Sequence, residues 1–222
     1  MLNSSSTRKR NSPLLYCSSQ FIRDINDTSI IINELQKYRI EIRKGKHIHL
    51  DNRTIELYIC LYFLRIHLSW ESFLESTFVR YICGHPNISG KSPTLLIPRQ
   101  TSISFAMSTI LGPKNFLSWS PDETIVRSQK YLHMGEPYSR AMSVAKNDLK
   151  NLYTIRNRIA HSSEYAQNMF RQTVRTEIGY NPKGMTPGRF LLMKKPISSR
   201  KKVTYLHYYL DILQTLANQI VS

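Results

Sequence analysis

The most regular hydrophobic spacing in the chain lies between residues 54 and 83. Ile59, Phe63, Ile66, Trp70, Phe73, Leu74 and Phe78 recur at steps of three and four, the signature of one helix face. Thr54 is placed to cap the start, and Gly84 followed by His85-Pro86 stops the run. At about 1.5 Å per residue this helix is on the order of 45 Å long, suited to the centre of a bundle. A second clear stripe, Tyr205, Tyr209, Ile212, Leu213, Leu216 and Ile220, predicts a last helix over 203–221. Residues 20–39 are helix-compatible, although Asp27-Thr28-Ser29 could break or cap the run. Residues 40–53 alternate weakly around Gly45 and fit either a short hairpin or a loop. Residues 85–120 hold much of the Pro and Gly, so they read as an irregular connection with one short helix near 101–111. Ser120-Pro121-Asp122-Glu123 opens a helix with proline at its first position and acids in its first turn. That helix runs to about His133 and ends at Gly135-Glu136-Pro137. A long helix over 138–162 follows, then a segment over 164–178, and residues 179–202 return to Pro, Gly and Lys. The pattern predicts an all-α helical bundle with a long central helix and irregular connecting loops. Residues 1–19, rich in Ser, Asn, Arg and Lys, read as a flexible basic arm, and residues 20–222 as a single helical domain.

The charge balance is more informative than the composition. The 222 residues are 41% hydrophobic and 21% charged, which is globular rather than disordered. Lys and Arg number 31 against 15 Asp and Glu, a net charge of +16. Such an imbalance repels itself in a compact chain and points to a polyanionic partner, nucleic acid before anionic membrane. Cys17, Cys60 and Cys83 are three and widely spaced, which disfavours a disulfide framework or a cysteine zinc site and fits a reducing, cytoplasmic setting. The polar, basic N-terminus has no apolar stretch behind it, so no secretory signal is expected. The most apolar run, 55–82, is interrupted by Glu56, Arg65, His67, Glu71, Glu75 and Arg80, so no membrane span is expected.

Several motifs fail on spacing. Gly90-Lys91-Ser92 resembles the end of a phosphate-binding loop, but five residues rather than four follow Gly84, and a helix rather than a strand leads in. His47 and His49 would share one side of a strand, half of a metal site, yet no Cys or third His sits nearby, although Asp51 does, so they read as solvated loop histidines. His67 reads as an interior histidine. No metal or cofactor is expected. Lys194, Lys195, Arg200, Lys201 and Lys202 flank Pro196; such a run is an ordinary solvated face or, given the net charge, a set of phosphate contacts.

The segment 151–161, NLYTIRNRIAH, differs in kind. Leu149, Leu152, Ile155 and Ile159 share a face that would bury the helix. Asn157 and His161, four apart, share another face, roughly opposite, with Arg156 between them. A guanidinium, an amide and an imidazole near a helix end either meet solvent or meet a partner.

The Arg-Asn-x3-His form of Arg156, Asn157 and His161 resembles the motif of the HEPN superfamily (higher eukaryotes and prokaryotes nucleotide-binding). Trp70-Glu71 in the long helix is similar to the Trp-Glu pattern of its RiboL-PSP-HEPN branch, and the likeness extends over roughly residues 55–220. The resemblance implies a HEPN-like helical bundle that forms a homodimer and joins two copies of the motif. It also implies metal-independent endoribonuclease activity. His161 would be the general acid/base for attack of the ribose 2′-hydroxyl on the adjacent phosphate. Arg156 would stabilise that phosphate, and Asn157 would hold an oxygen or orient His161. Histidine's ordinary titration range suits proton transfer, and arginine's planar fork suits phosphate. Arg158 and the 194–202 lysines and arginine are expected backbone contacts; Glu71 is either a supporting or a structural acid. Many prokaryotic members are toxins or phage-defence effectors, which implies an antitoxin or regulatory protein partner. Two other functions compete: a non-catalytic RNA-binding or scaffold protein of the same family, and a DNA-binding regulator, for which no recognition-helix spacing is evident.

Overall fold

In the computed structural model the described residues are 12–43, 50–198 and 202–222. Among the described residues the regular structure is helical apart from one short hairpin. Its elements are α1 (Pro13–Arg43), α2 (Asn52–Ile82), α3 (Ile103–Leu111), α4 (Pro121–Tyr131), a 3-10 turn (His133–Gly135), α5 (Tyr138–Val144), α6 (Lys146–Ala160), α7 (Glu164–Ile178), α8 (Pro187–Leu191), β1 (Lys194–Pro196), β2 (Lys202–Thr204) and α9 (Tyr205–Val221). Among the described residues no helix is long and apolar enough to cross a membrane.

The chain divides into two compact units, one of residues 1–23, 69–149 and 213–222, the other of residues 24–68 and 150–212. The first has an aromatic core. Phe21, Trp70 and Phe73 meet with centroids 5.3–5.5 Å apart, and Phe78 meets Trp119, Tyr131 and Tyr138 at 5.7, 6.0 and 5.3 Å. Each fully buried ring of this kind contributes about 1.5–3 kcal/mol. Two buried tyrosine hydroxyls find partners: Tyr138 donates to Thr77 Oγ1 at 2.8 Å, and Tyr81 to the Ile220 carbonyl at 2.5 Å. Arg127 lies 4.3 Å over the Trp119 ring, whose Nε1 donates to Glu75 at 3.1 Å.

The second unit is built on a chain of ring contacts. Phe170 meets Phe190 edge-on at 6.0 Å, and Phe190 stacks on Tyr205 at 4.3 Å. His67 is buried, edge-on to Tyr153 at 4.4 Å. Burial, aided by the nearby Arg156 guanidinium, pushes its pKa down to about 3. Gly188 in α8 lies so close to α2 that a Cβ there would sit 2.3 Å from the Glu56 carbonyl oxygen. Thr186 locks the same approach by donating to the Glu56 carboxylate at 2.7 Å.

Several boundaries differ from the sequence expectation. The basic arm does not reach residue 19: α1 begins at Pro13, with Leu14, Cys17 and Phe21 buried at helical spacing. Residues 1–11 lie outside the described residues. Asp27-Thr28-Ser29 neither breaks nor caps α1, because Ile25, Thr28, Ile32 and Leu35 continue one buried stripe through it. The cap of α2 is Asp51, not Thr54: its carboxylate accepts the Thr54 amide at 2.6 Å. The expected 138–162 helix is two, interrupted at Ala145 (φ −110°, ψ 24°). The β1–β2 hairpin, pairing Lys195 with Val203, stands where only a basic loop was expected. The alternatives for 40–53 and the His47/His49 half-site fall largely or wholly on residues 44–49, outside the described residues.

All three cysteine thiols are unbridged. Burial raises the pKa of Cys17 and Cys83, and pushes Cys60 up to about 11 against a hydrogen bond from Gly188.

Candidate nucleic-acid site

The candidate site lies in the second unit, at the turn from α6 to α7. α6 forms because Leu149, Leu152 and Ile155 are fully buried along one stripe; Ile159, the last expected member, is only half-buried. The helix ends at Ala160, and the His161 amide still bonds the Asn157 carbonyl at 2.9 Å. That bond keeps the His161 side chain one turn above Asn157. Ser163 then caps α7, its hydroxyl accepting the Ala166 amide at 3.3 Å.

Asn157 and His161 thus face the same cleft, of about 210 Å³, together with Thr154, Ser163, Tyr165 and Met169. Both are exposed, and Tyr165 is 75% exposed. The cleft opens at the N-terminus of α7, where amide groups and the helix dipole favour an anion. Arg156 is half-buried and does not line the cleft. It joins from the side, its Nη1 donating to Asn157 Oδ1 at 3.1 Å. Arg158 Nη1 donates to the His161 carbonyl at 3.1 Å, closing the end of α6. The expectation of three groups on one face is therefore met by two, with the guanidinium beside them.

The remaining expected residues separate. Lys194 and Lys202 are exposed on the hairpin. Lys195 is committed internally: it pairs with Glu177, which also accepts from Asn151 at 2.8 Å, and lies 5.0 and 4.6 Å over the Tyr205 and Tyr208 rings. Arg200 and Lys201 lie outside the described residues. Glu71 is half-buried on the part of α2 that belongs to the first unit. Sequence reading missed Ser163 and Tyr165. The signal was present, since Ser before a helical run is an N-cap and Tyr at its second position projects from the first turn.

Among the described residues no group of three His, Cys, Asp or Glu is arranged to hold a metal ion. The chain matches no family model, no curated protein and no solved structure.

Proposed function

We propose that this chain is a metal-independent endoribonuclease of HEPN type, acting as a toxin or phage-defence effector. The observation that carries the reading is the pairing of Asn157 and His161 in one cleft at a helix N-terminus, with the Arg156 guanidinium 3.1 Å from the Asn157 amide oxygen. The cleft suits a phosphodiester: two cationic side chains, Arg156 and Arg158, stand beside it, and it lies at the positive end of the α7 dipole.

In the proposed reaction a histidine takes the proton of the ribose 2′-hydroxyl as the 2′-oxygen bonds to phosphorus. The bond to the 5′-oxygen breaks, and that oxygen receives a proton. The products are a 2′,3′-cyclic phosphate and a 5′-hydroxyl. One step needs a base and the other an acid, so two copies of His161 in a homodimer would divide the work. Arg156 would offset the charge growing on the phosphoryl oxygens, worth about 3–4 kcal/mol for a well-placed donor. Asn157 would hold both Arg156 and the phosphate. An antitoxin or regulatory protein would spare the host by covering this cleft.

The test is incubation of the full chain with labelled RNA and matched single-stranded DNA in excess chelator, beside His161→Ala and Arg156→Ala. Cutting of RNA alone, lost in both variants while their circular dichroism is unchanged, is expected. Normal cutting by either variant removes the site assignment. Salt-sensitive RNA binding without cutting moves the assignment to a non-catalytic RNA-binding protein. An active enzyme that is strictly monomeric by light scattering removes the shared-site mechanism.

A further inference from the structure

The second unit holds another, larger cleft, of about 340 Å³, between α7 and the loop at 181–185 that precedes α8. Arg158, Arg171 and Lys183 line it, with Gln167 and Asn181 as neutral hydrogen-bonding groups; no carboxylate does. Its floor is apolar and rigid: Phe170 and Val174 are buried, and Phe170 is fixed by the Phe190–Tyr205 stack. Among the described residues none of the three cations forms an ion pair. Arg158 gives one Nη to the His161 carbonyl, and Arg171 gives one to Asn168 at 3.4 Å, so each guanidinium keeps donors to spare. Of the two glutamates on α7, Glu177 is neutralised by Lys195, and neither it nor Glu164 lines the cleft.

Three like charges around one concavity repel each other, and an intramolecular ion pair would remove that cost. A surface that keeps them unpaired around a cavity of small-ligand size is shaped for an anion. One phosphodiester carries a single charge, fewer than the cleft presents. We propose that this cleft binds two successive phosphodiesters of a single-stranded RNA whose neighbouring segment occupies the Asn157–His161 cleft. The two clefts lie along the same helix: Ala166 and Met169 of α7 belong to one, Gln167, Phe170 and Arg171 to the other. Positions 166 and 171 are about 7–8 Å apart along the axis, so one strand can enter both without a long detour. Arg158 connects them directly, bonded to His161 at one end and facing the second cleft. The placement beside the cutting site rests on the ribonuclease reading; the affinity for RNA does not.

The experiment uses the full chain with His161→Ala, which keeps the RNA intact, and a short fluorescent single-stranded RNA of mixed sequence. Binding is measured by anisotropy over a series of KCl concentrations. Arg171→Gln and Lys183→Gln change exposed side chains and leave the core untouched. Each is expected to weaken binding on the order of tenfold. Together they should flatten the slope of log affinity against log salt by about 1.4, at about 0.7 per phosphate contact on a single strand. Arg140→Gln removes an equal charge from an exposed site in the other unit and should change affinity far less. Unchanged affinity and slope in the double variant overturn the proposal. So does an equal loss in Arg140→Gln, which would mark a net-charge effect, and so does absence of RNA binding. Cleavage by the unmodified chain is scored separately. Without cutting, the ribonuclease reading falls, while loss of binding in the double variant still supports the cleft.

Discussion

Replacing Gly188 with alanine adds one methyl group where there is no room for it. An ideal Cβ would stand 2.3 Å from the Glu56 carbonyl oxygen, 2.8 Å from its carbonyl carbon and 2.9 Å from its Cα. All three are backbone atoms of α2, so no side chain can swing aside. A comfortable contact needs about 3.5 Å, so α8 must retreat by about 1 Å. That retreat stretches the Thr186–Glu56 hydrogen bond of 2.7 Å and loosens Phe190 beneath it. Overpacking of this kind costs about 1–3 kcal/mol. Alanine returns about 0.5–1 kcal/mol through a less flexible unfolded chain and better helix propensity. Against rigid backbone the cost falls in the upper half of that range, so the net loss is about 1–2.5 kcal/mol, which for a chain of this size lowers Tm by about 2–10 °C. Scanning calorimetry of Gly188→Ala beside the parent measures it. A variant melting within about a degree of the parent would refute the close approach of α8 to α2.

Three further outcomes follow from the same geometry. His67 is held neutral, with its pKa pushed from 6.5 to about 3. The unfolded chain therefore binds the proton first, so stability is full above about pH 6.5 and falls as pH drops toward 3. Between pH 6.5 and 5 the loss is about 2 kcal/mol, and urea titrations of His67→Gln should not show that component; equal pH slopes in both proteins contradict it. Lys195→Met strips the partner from Glu177, whose side chain is only 12% exposed, and should cost about 3 kcal/mol of stability while leaving RNA affinity nearly unchanged. A tenfold loss of RNA affinity in a stably folded Lys195→Met would return Lys195 to the binding surface. Tyr165→Ala should weaken RNA binding by about 1–3 kcal/mol if the exposed ring stacks a base, and Tyr165→Phe should not; equal affinities in both remove the stacking role.

The long helices were legible in the sequence because burial and periodicity agreed. Ile59, Phe63, Ile66, Trp70, Phe73, Leu74 and Phe78 are all buried in α2, as their spacing predicts. α4 was legible from its cap, since Ser120 accepts the Glu123 amide. What escaped was decided by contacts distant in sequence or by weak local signals. Ala145 interrupts two helices with no Gly or Pro to announce it. The hairpin exists where Lys195 meets Glu177 and two tyrosines, partners spread over thirty residues of chain. At the site, the four-residue spacing of Asn157 and His161 correctly put them together. It could not show that Arg156 turns aside, because that depends on the buried face next to His67. Lys195 looked like its neighbour Lys194; only the strand alternation separates an inward cation from an outward one.

The three raised thiols have a practical chemical consequence. Disulfide exchange, alkylation and oxidation to sulfenic acid all proceed through the thiolate, which burial suppresses at Cys17, Cys60 and Cys83. The folded chain should resist peroxide and react slowly with maleimides, and should become reactive at all three positions once unfolded. A cysteine introduced on the open surface, at Tyr165 or Lys183 for instance, would then react selectively in the native protein. A dye attached there would watch either cleft fill without removal of any natural thiol.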